Sequence, residues 1–476
     1  MANIVFVDPP ISLARRYGKL AGAANTMPSF GLLSLAATTR LNGFNSHIVE
    51  ASSLGLDYQA TIEDIFKHSP DYVGITATTL SIHNAAILAR MIKERNDTVR
   101  TIIGGAHLTA IPEETMNLFP QFDIGVVGEG EETIVELLQA NENNRDLMKI
   151  EGLIIRNGNN LCITEERPFI RNLNKLPFPA WDLLPDFPQA YQPPAFRFQR
   201  LPAASIVVSR GCPMKCIFCD RSVFGDSCRW FSAMYVVEMM KILHQKYGIQ
   251  EILIEDDTFV IPKARLVAIC EELLREDLKL SWSCLARIDM IDPDVLGLMK
   301  RAGCWQIGYG IESGVQRILD FIKKEIKLEQ VEAVLKWTKK AGIKAKGFFM
   351  IGHPLETLQS IEATINFARG VDLDDFSIFK FTPFPGSEIY KVANQYGKFD
   401  DDWEKMNLLE TVFIPNGLTQ EKLEKYSRSA WRKFYLRPKI ILSYVKRILQ
   451  NPKNFGRIFQ GFVSFLKTVF KRTKIE

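Results

Sequence analysis

Ser209-Arg210-Gly211-Cys212-Pro213-Met214-Lys215-Cys216-Ile217-Phe218-Cys219 places three cysteines at a C-x3-C-x2-C spacing. A strand-like run precedes this stretch and a helical run follows, so three thiols share one loop between a strand and a helix. A structural zinc site usually takes four protein ligands, often as paired C-x2-C halves. Cys228 lies nine residues further on, but no fourth Cys or His stands at a comparable spacing. Three thiolates on a four-iron cube leave one iron open to another ligand, which suits cofactor chemistry. Zinc or inert cysteines are the alternatives at this point.

Working outward, strands are expected at Ser205–Ser209, Glu251–Glu255, Ser281–Leu285, Gln306–Gly310, Lys346–Ile351 and Phe376–Phe381. Helical segments such as Met234–Tyr247, Pro293–Ala302, Leu328–Ala341 and Leu358–Ala368 separate them. That is a partial (β/α)6 barrel rather than a closed eight-stranded one. Towards the amino terminus, strands at Asn3–Val7, Ser46–Glu50, Tyr72–Thr76 and Thr101–Ile103 alternate with helices, the pattern of a Rossmann-like doubly wound parallel sheet. The fold class is therefore α/β. The expected domains are 1–140 (Rossmann-like), 141–200 (a linker with some strand content), 201–400 (the partial barrel) and 401–476 (a helical region with a basic amphipathic tail).

The cysteine spacing, its loop and the aromatic Phe218 before the last cysteine resemble the radical S-adenosylmethionine (SAM) superfamily. The resemblance implies that Cys212, Cys216 and Cys219 hold a [4Fe-4S] cluster and that Phe218 lies near the adenine of SAM. It further implies SAM contacts at Asp257, after the second strand, at Arg287, at the family's fourth-strand polar position, and at Glu312, within Gly310-Ile311-Glu312-Ser313-Gly314 at the fifth strand's end. Phe349-Met350-Ile351-Gly352-His353-Pro354, ending the sixth strand, resembles an adenine-facing stretch. A catalytic His353 is disfavoured, because no general-base partner is visible. Solvated loops, helix caps, ion pairs and tight turns are the plain alternatives at these strand ends.

Ile103-Gly104-Gly105-Ala106-His107-Leu108-Thr109-Ala110 and Val127-Gly128-Glu129-Gly130-Glu131 resemble the cobalamin (B12)-binding-type domain that precedes the barrel in one radical SAM subclass. This implies cobalamin contacts at Thr78, Gly104, Gly105 and Glu129, with the paired glycines admitting a corrin tail to the backbone. The D-x-H-x-x-G motif that supplies a cobalt-ligating histidine is absent, since Asp8 is followed by Pro9 and Pro10. A cobalamin-free domain that only caps the barrel is the alternative. His83 and His107 are readable as polar surface residues, His83 more so.

The chain has a net charge of +4 and eight cysteines. The start lacks a signal-peptide pattern and no stretch is long and apolar enough to span a membrane, so a cytoplasmic, reducing setting is expected. From Arg432 onward, twelve Lys or Arg face one acidic residue, Glu476, a net of +11 that leaves −7 on the first 431 residues. Within this tail Phe455, Ile458, Phe459, Phe462, Val463, Phe465, Leu466, Val469 and Phe470 recur at helical spacing, with Arg457, Lys467, Lys471 and Arg472 about them. Such a helix either meets the inner face of a membrane peripherally or packs on the barrel. Nucleic-acid binding is not expected of an acidic body with no aromatic–basic platform.

The expected activity is SAM cleavage and hydrogen abstraction from an unactivated carbon, with a methyl group then delivered from methylcobalamin. The substrate is expected to be a small molecule, lipid-like or polycyclic, and electrons to come from a reductase or a ferredoxin- or flavodoxin-type donor. Two rivals are a non-methylating cyclase, dehydratase or oxidative enzyme on the same scaffold, and a non-catalytic iron–sulfur or zinc module.

Overall fold

The structure, a computed structural model, describes residues 2–143, 145–450 and 454–470. Its first sheet comprises β1 (Asn3–Asp8), β2 (Asn45–Glu50), β3 (Tyr72–Thr76), β4 (Arg100–Gly104), β5 (Ile124–Val126), β6 (Leu153–Asn157) and β7 (Asn160–Ile163). They lie in the order β2-β1-β3-β4-β5-β6-β7. Pairs from β2 to β5 are parallel and the last two pairs antiparallel. In β1, Ile4 and Phe6 join one core with Leu32 and Ile134, while Val5 and Val7 join a second with Ile62, Ile82 and Leu88. Alternate side chains thus feed helices on both faces, the doubly wound arrangement. The chain leaves β1 for β2 on one side and resumes at β3 on the other, so ligand clefts belong at the carboxyl ends near β1 and β3.

Sequence reasoning did not locate β5, β6 or β7. Strand β5 is three residues long and leaves no periodicity. The hairpin had a signal, because Gly158-Asn159 between two apolar runs is a two-residue turn, with Gly158 at φ 60°. This hairpin lies within the 141–200 stretch and extends the first sheet.

The second sheet is built from β8 (Ala203–Ile206), β11 (Glu251–Ile254), β12 (Ser281–Ala286), β13 (Cys304–Glu312), β14 (Lys344–Ile351) and β15 (Asp375–Lys380), all parallel and in chain order. It is a half-barrel with β8 and β15 at its open edges. Between β8 and β11 a short antiparallel pair, β9 (Ser209–Arg210) and β10 (Arg229–Trp230), closes the base of the cysteine loop. Ser209 therefore belongs to this clamp rather than to the first barrel strand. Arg287 follows the third barrel strand, not the fourth. Glu312 ends the fourth strand, and Phe349–Ile351 the fifth, each one earlier than expected.

The carboxyl-terminal helices plug the amino-terminal end of the barrel strands. The Tyr435 hydroxyl donates to Asp375 Oδ1 at 2.5 Å, and Lys346 pairs with the same carboxylate at 3.0 Å. Helix Phe455–Phe470 packs on the turn Gly18–Ala23, where a Cβ on Gly22 would come within 2.5 Å of Ser464 Oγ. Ile458 and Phe465 are buried, while Phe455, Phe459, Phe462 and Phe470 are exposed, as are Ile441, Leu442, Val445 and Leu449 on helix Pro438–Gln450. The expectation that this helix packs on the protein thus holds for one face, while the other face is exposed. Arg457 departs from them, because its guanidinium turns inward to the Pro193 and Ala24 carbonyls. The Val469 side chain, Lys471 and Arg472 lie outside the described residues. Among the described residues, no helix is long and apolar enough to cross a membrane.

Candidate functional site

The cysteine loop starts with a forced turn. Gly211 has φ +84°, and a Cβ there would sit 2.3 Å from the Ser227 carbonyl oxygen and 2.8 Å from that of Phe224. Only glycine fits both the conformation and the space. Beyond it, Cys212 N–H donates to Gly225 O at 3.4 Å and Cys219 N–H to Cys216 O at 3.2 Å. Backbone bonds from Ile217 to Ile322 and from Ile389 to Ile217 pin the loop across the half-barrel. Cys216 is buried, Cys212 half-buried and Cys219 exposed.

Charged side chains from the strand ends surround these thiols. Arg287 directs one guanidinium nitrogen at Cys216 Sγ, 3.6 Å away, donates to the Lys324 carbonyl at 2.6 Å, and forms a fork with Asp289 at 3.0 Å on both arms. Lys324 pairs with Glu312 at 2.8 Å, and both are buried. Glu312 holds φ +69°, a left-handed conformation costly for a residue with a Cβ. Lys324 Nζ is 6.0 Å from the Phe218 ring. The hydrogen bond with Cys219 pulls the Cys216 thiol down to about 6 against burial, with Lys324 and Arg287 adding to the effect.

Phe218, Arg287 and Glu312 therefore converge on the cysteines. Asp257 is exposed at the end of β11 and acts electrostatically on Cys212. Its neighbour Asp256 has a different task. Buried, it accepts from Val208 N–H and Ser209 Oγ at 2.6 Å each, and burial lifts its carboxyl to about 6 despite those bonds. Cys228 hydrogen-bonds Thr258 at 3.0 Å. His353 is fully buried beside Phe381, and burial lowers it to about 4, so it stays neutral. Sequence reasoning missed Glu356, which accepts from the Gly352 and His353 backbone N–H groups at 2.6 and 3.1 Å. Burial raises its carboxyl to about 8.

The donor set fits an iron–sulfur cube. The three thiols are on one loop, Arg287 points at one of them across 3.6 Å, and the Arg287 and Lys324 cations offset the charge of a thiolate-bound cluster. Among the described residues, no three His, Cys, Asp or Glu side chains converge enough to hold a single metal ion. A cube reaches its ligands from separate corners and does not need that convergence.

At the carboxyl ends of β3, β4 and β5 lies a largely apolar cleft of about 210 Å³. Glycines form much of its wall. An added Cβ on Gly31 or Gly128 would meet nothing within 4 Å, whereas one on Gly105 would strike Thr76 Oγ1 at 2.7 Å. A bulky tail laid along the backbone fits such a cradle. Gly104 and Gly105 line this cleft, and so does Glu129. The Glu129 carboxylate, however, is committed to Arg210, Arg229 and the Ile170 N–H. Thr78 lines the neighbouring cavity, with Ala106, Asp220 and Phe384, where its hydroxyl caps the turn Thr79–Ser81. Asp220 follows Cys219, so this second cavity reaches from the first domain to the cysteine loop. His107 is not at the surface. It is buried edge-on against Trp403 at 4.4 Å, and burial lowers it to about 3. His83 is half-buried beside the same indole.

Comparison with known proteins finds the same two parts. Residues 206–368 match the radical SAM superfamily and residues 19–138 the B12 binding domain. An uncharacterized methyltransferase of Pyrococcus horikoshii is 36% identical over 443 residues, spanning 92% of this chain and 94% of that protein. The anaerobic magnesium-protoporphyrin IX monomethyl ester cyclase of Rubrivivax gelatinosus is 27% identical, over 95% of this chain and 81% of its own. Among solved structures, the radical SAM methyltransferase TsrM of Kitasatospora setae, with cobalamin and a [4Fe-4S] cluster bound, superposes with a TM-score of 0.68. It is 18% identical and covers 83% of this chain and 78% of its own, a likeness in fold.

Proposed function

The chain belongs to the radical SAM superfamily, in the group with a B12-binding domain ahead of the barrel, and on that footing we propose that it methylates an unactivated carbon of an apolar small molecule. When bound, the cluster supplies the electron that breaks SAM, and a corrinoid supplies a methyl carrier. Cys212, Cys216 and Cys219 hold the cluster. Arg287 and Lys324 balance its charge, Phe218 and Glu312 border the SAM position, and Asp257 takes the SAM amino end. Gly31, Gly104, Gly105 and Gly128 would admit the corrinoid tail, and Thr78, which lines the neighbouring cavity, would contact the same group.

The observation that carries this proposal is the cavity shared by Thr78 and Asp220, which joins the first-domain strand ends to the cysteine loop. Leu285, Phe348 and Phe379 are partly exposed on the barrel's inner face, and the last two rings stack at 6.4 Å, which supports an apolar or polycyclic substrate. The cyclase likeness favours a second reading, a non-methylating enzyme. Product analysis separates the two. Methylation yields S-adenosylhomocysteine alongside 5′-deoxyadenosine, and cyclisation yields 5′-deoxyadenosine alone.

The setting is a reducing cytoplasm with a ferredoxin- or flavodoxin-type donor. The exposed apolar side chains of the two tail helices, flanked by Lys439, Lys446 and Lys467, support peripheral attachment to an anionic membrane.

A further inference from the structure

Two arginines clamp the cysteine loop and two carboxylates clamp the first-domain cleft, and the four meet in one buried quartet. Arg210 pairs with Glu129 at 2.7 Å and with Glu131 at 2.5 Å, and Arg229 pairs with Glu129 at 2.8 Å. Arg210, Glu129 and Glu131 are each at least nine-tenths buried. The arginines face each other across β9 and β10, the pair that closes the loop, and Arg210 is separated from Cys212 by Gly211 alone. Glu129 stands at the start of helix Gly130–Glu142, and Ser34 Oγ donates to Glu131 at 2.8 Å. Burial pushes Glu131 up, but Arg210 more than reverses it, and the carboxyl sits below its usual range.

The same cleft that would receive a corrinoid tail is lined by Gly128, Glu129, Glu131, Arg210 and Phe224. A group filling it touches the quartet directly, and the quartet fixes the backbone that enters the cysteine loop. Buried charge pairs tolerate little displacement, since each ion depends on its partner for its lost hydration.

We propose that Arg210 is a positioning residue that links the two cofactor sites, so that the first-domain cleft binds its ligand more tightly once the cysteine loop holds a cluster. The proposal rests on the cobalamin and cluster assignments above. Linkage is reciprocal, so a filled cleft also favours the cluster-bearing form of the loop.

The test measures the dissociation constant of hydroxocobalamin for the full chain under anaerobic conditions, before and after reconstitution with iron and sulfide. Wild type is expected to bind about fivefold or more tightly after reconstitution. In Arg210→Lys, which keeps the charge but loses the two-armed geometry, the ratio falls to less than about twofold while iron content is retained. Glu131→Gln, close in shape, gives the same fall should the lysine variant not fold. A substitution that merely loosened the protein would weaken binding in both states and leave the ratio alone. A ratio near one in wild type overturns the linkage, and an unchanged ratio in both variants overturns the role of Arg210. No hydroxocobalamin binding in either state overturns the cobalamin assignment and the linkage together.

Discussion

Arg287 points a guanidinium nitrogen at Cys216 Sγ across 3.6 Å while its other arm donates to the Lys324 carbonyl at 2.6 Å. One side chain from the end of β12 thus registers the cysteine loop against the segment that carries Lys324, the partner of Glu312. Three acceptors in a fixed fork are a task for arginine and not for lysine. Arg287→Lys is expected to keep its iron but lose SAM cleavage by about tenfold or more, measured as 5′-deoxyadenosine formed per iron.

Gly211→Ala tests the turn that launches the loop. The new methyl would press on two carbonyl oxygens at a φ of +84°, at a cost on the order of 3 kcal/mol. The expected outcome is folded protein with a lowered melting temperature that no longer retains iron after reconstitution.

Gly31→Phe tests the cradle. Gly31 lies in helix Phe30–Leu41, a Cβ there meets open space, and the residue lines the cleft. The ring should fill the cleft without backbone strain. Hydroxocobalamin affinity is expected to fall by about tenfold or more, with iron content and melting temperature unchanged.

How much of this was legible in the sequence depended on the range of the interaction. The cysteine spacing and the barrel strands were legible, because each is a local pattern set by strand period or loop chemistry. Local sequence does not say which partner a charged side chain will choose. Glu129 and Arg210 are 81 positions apart, so Glu129 looked like a ligand contact when its carboxylate is held by arginines. Asp256 and Asp257 are adjacent and alike in sequence, and only the fold makes one a buried brace and leaves the other open to the site. The strand assigned to Arg287 slipped for another reason, since the expected strands already put Ser281–Leu285 third and only the resemblance placed Arg287 at a fourth.

Glu50 gives a pH prediction. Burial, with Asp8 alongside, raises its carboxyl from the ordinary 4.5 to about 8, and bonds from Ser29 and Ser53 only partly oppose this. Arg16 is near Asp8, and the Tyr191 hydroxyl also feels Glu50. The folded state holds this proton more tightly than the unfolded state, so its contribution to stability is full below about pH 4.5 and is lost as pH rises towards 8. Glu50→Gln should melt higher than wild type by about 1–3 °C at pH 9, with the gap narrowing as pH falls towards 5.

The exposed tail face predicts salt-sensitive sedimentation with vesicles containing anionic phospholipid. Replacing Leu442, Leu449 and Phe459 together by Ser removes apolar area that would enter the interface, and should lower partitioning by about tenfold or more. No association of wild type at low salt contradicts the attachment.

The central claim is that three thiols on one loop hold a cluster that cleaves SAM. Its most direct measurement is 5′-deoxyadenosine formation by anaerobically reconstituted, chemically reduced protein given SAM, with Cys216→Ala in parallel. The account predicts product from wild type and loss of that product in the variant. Equal product from both, or none from a wild type that has taken up its iron, would contradict it.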